Sequence, residues 1–321
     1  MTADQPPALL VAGPTASGKS ALALAIAERV GGTVINADSM QVYRELRVLT
    51  ARPTPEDEAR VPHRLYGVRP AAEAASVAWW RGEALAAMAG ARAEGRLPIM
   101  CGGTGLYFAS LTEGLSDIPP VPEAARAEAR RLLAEEGPAA LHARLAAGDP
   151  GTAARLRPSD SQRIARAYEV WLGTGRGLSA WQAGGGTGPA PSHFAAILID
   201  PPRDTLRAAI AARWAAMMAG GAVEEVRALV ALGLDPALPA MRAHGVPELA
   251  AMLAGRMTEE DASRRAMLNT GQYTKRQATW FRHHLLADPS RAHTIHARIT
   301  GRAQLSESFL GDVFAFVDRV R

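Results

Sequence analysis

Two amino acids are nearly missing from this chain of 321 residues. It has one cysteine, Cys101, and of its 36 basic residues only Lys19 and Lys275 are lysines. A single cysteine excludes an intramolecular disulfide framework, and no Cys/His spacing suits a zinc site, which agrees with a reducing compartment. Long apolar runs are missing too. Ala21 to Ala27 is too short to span a bilayer, and no basic-then-apolar leader with a cleavage site precedes it. The expectation is a cytoplasmic protein with no membrane partner. No fixed-period repeat is present, which removes solenoids and propellers. The scarcity of lysine makes the exceptions informative, because a compact ammonium differs from a planar guanidinium in reach and shape. Each lysine falls inside a motif described below.

The chain does have apolar residues in quantity. At 48% hydrophobic and 21% charged it is long enough for one large α/β core and a smaller module. The net charge of +4 permits a polyanionic partner without demanding one. Its distribution says more, since Arg256 to Arg321 carries eleven Arg/Lys against seven Asp/Glu, a surplus equal to that of the whole chain. Phosphate contacts are therefore expected in this tail.

Ala8-Leu-Leu-Val-Ala12 is an apolar run ending in a glycine-rich turn, and Ser20 to Val30 then reads as a buried helix. Thr33 to Asp38, Leu97 to Cys101 and Phe194 to Asp200 are further strand candidates. Strands separated by helical stretches predict an α/β fold with a mostly parallel sheet. Between Pro119 and Pro191 the composition turns to alanine, arginine and glutamate. The predicted organisation is a P-loop parallel-sheet core over 1–118 and 192–321, helical in its C-terminal part over Leu206–Leu232 and Glu259–Leu286, with an inserted helical domain over 119–191.

Gly13-Pro14-Thr15-Ala16-Ser17-Gly18-Lys19-Ser20 fits G-x-x-x-x-G-K-[ST] between a strand and a helix. Backbone N–H groups of such a loop converge on phosphate oxygens, Lys19 adds a full charge, and the Ser20 hydroxyl can ligate Mg²⁺. The pattern is typical of nucleotide-binding and ATP-binding proteins, but by itself it does not say whether the phosphates belong to a nucleotide. After the second strand, Asp38-Ser39-Met40-Gln41 brings a carboxylate to the same sheet edge, where it could bind magnesium, act as a general base or cap the next helix. Arg52 and the segment Pro62-His63-Arg64-Leu65 are read as loop residues. Cys101-Gly102-Gly103-Thr104-Gly105 closes a third strand with glycines that let backbone approach a ligand and a hydroxyl that can donate to one.

These segments resemble the tRNA dimethylallyltransferase family, in which a GPTASGK[ST] loop, a DS-x-x-x-Y segment and a GGT-x-LY segment recur in that order. Asp160-Ser-Gln162-Arg163-Ile-Ala-Arg166 is similar to the family's D-x-Q-R-x-x-R helix, and Gln272-Tyr-Thr-Lys275-Arg276-Gln277-Ala-Thr-Trp280-Phe-Arg282 to its Q-x-A-K-R-Q-x-T-W-x-R element. The resemblance spans roughly residues 9 to 286. Where many members carry G-Y-[RK]-[EQ], this chain has Gly245-Val-Pro-Glu248, and Gly271 stands at a common arginine position.

What the resemblance implies is transfer of a dimethylallyl group from dimethylallyl diphosphate to N6 of the adenosine 3′ to the anticodon, by a monomer using Mg²⁺. It assigns catalysis to Asp38 and Thr104, and diphosphate binding to residues 13–20 and Arg213. It assigns tRNA binding to Asp38, Ser39, Met40, Gln41, Thr104, Arg126, Gln162, Arg163, Arg166, Arg242, Gly245, Lys275, Arg276, Gln277, Trp280 and Arg282, contacting the anticodon stem-loop. On a helix Lys275, Thr279 and Arg282 form one polar stripe, suited to a phosphate backbone or simply solvated, while Trp280 could stack on a base or pack into the core. The first alternative is a P-loop small-molecule kinase, since the loop, the strand-end Asp and an inserted helical lid would suit phosphoryl transfer. The second is a non-catalytic RNA-binding or nucleotide-switch protein, against which Asp38 and Thr104 beside the loop argue.

Overall fold

The structure, a computed structural model, describes residues 5–300 and 307–320. The chain divides into two compact units, Met1–Thr112 with Pro189–Arg321, and Glu113–Gly188. No helix among the described residues is long and apolar enough to cross a membrane.

In chain order the strands are β1 (Pro7–Ala12), β2 (Gly32–Asn36), β3 (His63–Arg64), β4 (Leu97–Gly102), β5 (Leu115–Ser116), β6 (Gly186–Thr187), β7 (His193–Ile199) and β8 (Ala292–Ile295). The first unit is built on a six-stranded sheet in the order β3-β2-β4-β1-β7-β8. Every neighbouring pair in it is parallel. Strand periodicity divides β1 between two cores. Leu9 and Val11 face one layer with Ile99 and Cys101, while Leu10 and Ala12 face the other with Ile35 and Met100. Both faces are covered, so β1 and β4 read as continuous apolar runs.

His63 and Arg64, expected in a loop, form the edge strand β3 against Val34 and Ile35. A two-residue edge strand lies below what alternation can reveal. The stretch Leu206–Leu232, expected to be helical, forms two helices, Arg203–Ala219 and Ala222–Ala231, separated at Gly221 with φ 94°. The first turn of the second helix carries Glu225, whose carboxylate accepts from the N–H groups of Arg47 (2.6 Å), Val48 (2.7 Å) and Leu49 (2.9 Å). This fastens the loop that brings Leu49 and Thr50 to the site. Glu225→Ala strands three partly buried donors and should lower the unfolding free energy by about 2–3 kcal/mol, measurable by urea denaturation.

The second unit is helical apart from the antiparallel pair β5–β6. Its long helical stretch Glu123–Gly148 is broken at Gly137 (φ 82°, ψ 171°), just ahead of Pro138, whose ring cannot continue a helix. Both halves bury leucines against helix Ser161–Thr174, through Leu132 and Leu141 on one side and Ile164 on the other.

Candidate active site

β1 ends at Ala12 and helix Lys19–Val30 begins at Lys19, so residues 13–18 turn the chain at the carboxyl edge of the sheet. A side chain at Gly13 would come within 2.7 Å of the Ile199 carbonyl oxygen. Ala16 (φ 66°) and Gly18 (φ 93°) both adopt left-handed conformations, uncommon for a residue with a Cβ. The Lys19 ammonium is buried and donates to the Pro14 carbonyl at 3.4 Å. Burial pulls its pKa below the ordinary lysine value and neighbouring Arg213 adds to this, while Asp38 opposes it. An anion that replaced lost hydration would be held strongly here. The buried Ser17 hydroxyl has no hydrogen-bond partner among the described residues, whereas Ser20 is exposed at the first turn of the helix.

The loop's outward-facing carbonyls are tied down from an unforeseen direction. Arg298 Nε donates to the Ala16 carbonyl and Ile299 N–H to that of Ser17, both at 2.9 Å. This strap after β8 belongs to no motif, and no local signal marks it.

Asp38 follows β2. Its N–H donates to Asn36 Oδ1 (2.8 Å), and its own Oδ1 accepts from Met40 N–H (3.0 Å) in an Asx turn. The helix-cap alternative is removed, because the next helix starts at Pro55 with Thr54 as its cap. Thr104 sits across from it. Its hydroxyl oxygen accepts from Ser39 N–H (2.9 Å) and donates to Ser39 Oγ (3.3 Å). The glycines around Thr104 answer to close packing, since a Cβ at Gly102 would overlap the Ala37 carbonyl, and one at Gly105 the Trp280 ring.

Asp38, Thr15 and Arg213 line one cleft of about 620 Å³ that includes open solvent. Arg213 donates to the Thr50 carbonyl (3.0 Å). Burial lowers its guanidinium below the usual arginine range, with Asp38 opposing. The rest of the wall is largely apolar, with Met40, Leu49, Ile210, Trp214, Met217 and Met267, and His244 and Tyr273 at its polar side. Tyr273 lies inside the Gln272–Arg282 motif, whereas Leu49, Ile210 and Met267 belong to no motif. Met267, Thr270 and Tyr273 recur every third position on helix Glu259–His283, a periodicity that could have marked them as one face.

The residues expected to meet tRNA separate into two groups. Lys275 and Arg276 are exposed, as is Arg242, and the Arg276 guanidinium lies 5.6 Å from the Tyr273 ring centre. In the second unit Gln162, Arg163 and Arg166 are exposed. Arg163 pairs with Asp160 (3.6 Å) and Arg166 with Glu169 (2.6 Å), while Arg126 pairs with Glu123 (3.8 Å). Exposed pairs of this kind contribute at most about 1 kcal/mol, so these cations can exchange partners.

Others are committed within the protein. Gln277 is buried and bonded to the phosphate loop, and Gln41 donates to the Thr50 and Ala51 carbonyls. Gly245 is buried with φ 96° against Trp214 and Leu49. Trp280 is partly buried and stacks on His284 with ring centroids 4.1 Å apart. Arg282, expected in a stripe with Lys275, makes a two-pronged contact with Asp200 at 3.0 and 2.9 Å. The basic tail is likewise partly spent internally, since Arg291 donates to the Phe194 and Val320 carbonyls. Arg302 and Arg321 lie outside the described residues.

The IPP transferase family profile matches residues 41–284, and the isopentenyl transferase profile residues 7–71. A tRNA dimethylallyltransferase of Gluconacetobacter diazotrophicus is 61% identical, covering 97% of this chain and 94% of that protein. One from Acidiphilium cryptum is 60% identical over 97% and 95%. Among solved structures, a tRNA isopentenylpyrophosphate transferase of Bacillus halodurans has 29% identity and a TM-score of 0.66, covering 98% of this chain and 97% of its own. A eukaryotic dimethylallyltransferase acting on tRNA, at 22% identity and a TM-score of 0.78 over 98% and 80%, shares the fold. By sequence over nearly its whole length, and by fold, this chain belongs to the tRNA dimethylallyltransferase family.

Proposed function

We propose that this protein transfers the dimethylallyl group of dimethylallyl diphosphate to N6 of the adenosine 3′-adjacent to the anticodon of tRNA, giving N6-isopentenyladenosine and diphosphate. The observation that carries this is the single cleft in which Thr15 of the phosphate loop and the Arg213 cation meet the Asp38 carboxylate and a largely apolar wall. A five-carbon chain joined to a diphosphate needs that combination. A small-molecule kinase would use the same phosphate loop and a strand-end carboxylate, and the family membership favours the transferase.

In this reading N6 attacks C1 of the donor as the C1–O bond breaks. Asp38 takes the proton that N6 loses, and the electron pair of the broken bond leaves on diphosphate. An aromatic amine is a poor nucleophile, so a positioned carboxylate matters. Lys19, the loop N–H groups, Thr104 and Arg213 stabilise the charge that grows on the leaving group, which lowers the barrier selectively. Ser20 fits Mg²⁺ as a single hydroxyl ligand, because this cation commonly takes one or two protein oxygens and completes its shell with phosphate and water. Among the described residues no cluster of three or more His, Cys, Asp or Glu competes for that part. When bound, the ion neutralises diphosphate charge.

The target base has to leave the anticodon-loop stack to reach a concave pocket. Lys275, Arg276 and Arg242 on the first unit, and Arg126, Gln162, Arg163 and Arg166 on the second, are assigned to tRNA; their exposure supports this.

The test mixes purified protein, Mg²⁺, dimethylallyl diphosphate and unmodified tRNA with adjacent adenines in its anticodon loop, followed by mass spectrometry of the digested nucleosides. Isopentenyladenosine formed without ATP is the expected result. Its absence, or ATP consumption with a small acceptor, would overturn the reading.

A further inference from the structure

We infer that Gln277 is a positioning residue for the diphosphate site rather than an RNA contact, an inference that rests on the proposed transfer reaction. Gln277 lies on helix Glu259–His283, two residues after Lys275, yet it is only 5% exposed. Its Oε1 accepts from the N–H of Thr15 (2.9 Å) and from the Thr15 hydroxyl (3.2 Å), while its Nε2 donates to the Gly103 carbonyl (2.9 Å).

One carboxamide thus joins the two segments that flank the leaving group. On one side is the phosphate loop, whose Thr15 lines the cleft. On the other is the turn whose next residue, Thr104, faces Ser39. The approach is close enough that a side chain at Gly103 would overlap Gln277 Nε2.

The two ends of the carboxamide are not interchangeable. An acceptor must face Thr15 and a donor must face Gly103, and only an amide of this length offers both at once. Removing it leaves the Thr15 N–H and the Gly103 carbonyl without partners, and an unpaired buried group is costly. The loop can recover a partner for Thr15 only by shifting, which moves the N–H groups that face phosphate.

Two substitutions test this. Gln277→Met keeps the volume and removes both hydrogen-bonding ends. Gln277→Glu keeps an acceptor for Thr15, opposes the Gly103 carbonyl with a second acceptor, and brings negative charge toward the diphosphate. Inorganic diphosphate with Mg²⁺ is titrated calorimetrically, tRNA affinity is measured by filter binding, and KM is determined for dimethylallyl diphosphate. Lys275→Ala serves as the RNA-side reference, with weakened tRNA binding and unchanged diphosphate binding.

For Gln277→Met, diphosphate affinity should fall and the donor KM rise by roughly tenfold, with tRNA affinity within about twofold of wild type. Gln277→Glu should lose more diphosphate affinity than Gln277→Met. Wild-type diphosphate affinity in Gln277→Met, or a loss confined to tRNA as in Lys275→Ala, would overturn the inference. If thermal melting shows that Gln277→Met is unfolded, Gln277→Glu is read in the same assays, and wild-type diphosphate affinity there would overturn it equally. Should wild-type protein form no prenylated tRNA, the transfer reaction fails, while the diphosphate titrations still report whether Gln277 sets the loop.

Discussion

Asp38→Asn is expected to lower kcat roughly a thousandfold while leaving KM for both substrates nearly unchanged, as for loss of a general base. The substitution is informative because it spares the local architecture. An asparagine keeps Oδ1 to accept from Met40 N–H, so the Asx turn survives. Buried Asn36 independently fixes the backbone here, its amide donating to the carbonyls of Asp38 (2.9 Å) and Leu65 (3.1 Å). What is lost is the proton acceptor and the negative charge facing Lys19 and Arg213. Single-turnover kinetics with saturating tRNA and donor separate these effects. A variant with wild-type kcat would show that another group removes the proton. A variant with unchanged kcat but a tenfold change in donor KM would reduce Asp38 to an electrostatic neighbour of the two cations.

Gly18→Ala is the second large effect. Gly18 precedes helix Lys19–Val30 with φ 93°, a conformation that costs a residue with a Cβ about 1–2 kcal/mol. The added methyl would also overlap the Ile299 carbonyl, backbone that cannot rotate away as a side chain can. Either the phosphate loop or the strap of Arg298 and Ile299 must move. Both outcomes disturb the Ala16 and Ser17 peptides, whose carbonyls that strap receives. We expect donor binding to weaken at least about 100-fold and stability to fall by roughly 2–4 kcal/mol, read by calorimetry and urea denaturation. Wild-type donor affinity in a folded Gly18→Ala protein would show that the loop geometry is not set by this contact.

These two positions differ in how visible they were beforehand. Gly18 stands in a spaced motif, and its requirement for glycine follows from the turn that every such loop makes. That the methyl would meet Ile299, 281 residues away in sequence, has no trace in the local pattern. Asp38 could be placed at the sheet edge from the strand before it, but its role among three candidates could not be chosen. The absence of a helix until Pro55 removed one of them.

Gln277 shows the limit from the other direction. Its motif was legible and its exposed neighbours Lys275 and Arg276 suit RNA, so the whole segment read as an RNA face. Helical geometry separates them, because residues two apart point to different sides. Arg282 is a different case: seven residues after Lys275 it shares that helical face, and the Asp200 carboxylate just after β7, which helical spacing does not record, engages its guanidinium.

By itself, then, the sequence determined what is local or periodic: the phosphate loop with its strand and helix, the parallel α/β core, and the polar and apolar character of each segment. Tertiary structure alone decided that His244, Tyr273 and the apolar wall share one cleft with Thr15, Asp38 and Arg213. Thr15, Asp38, Arg213, His244 and Tyr273 come from five separate segments and meet only because the parallel strands and the helix Glu259–His283 converge at one sheet edge. It also decided which polar groups of a motif face solvent and which are spent on the fold. A buried donor or acceptor must find its partner wherever packing places one, and no spacing rule records that partner's position in the chain.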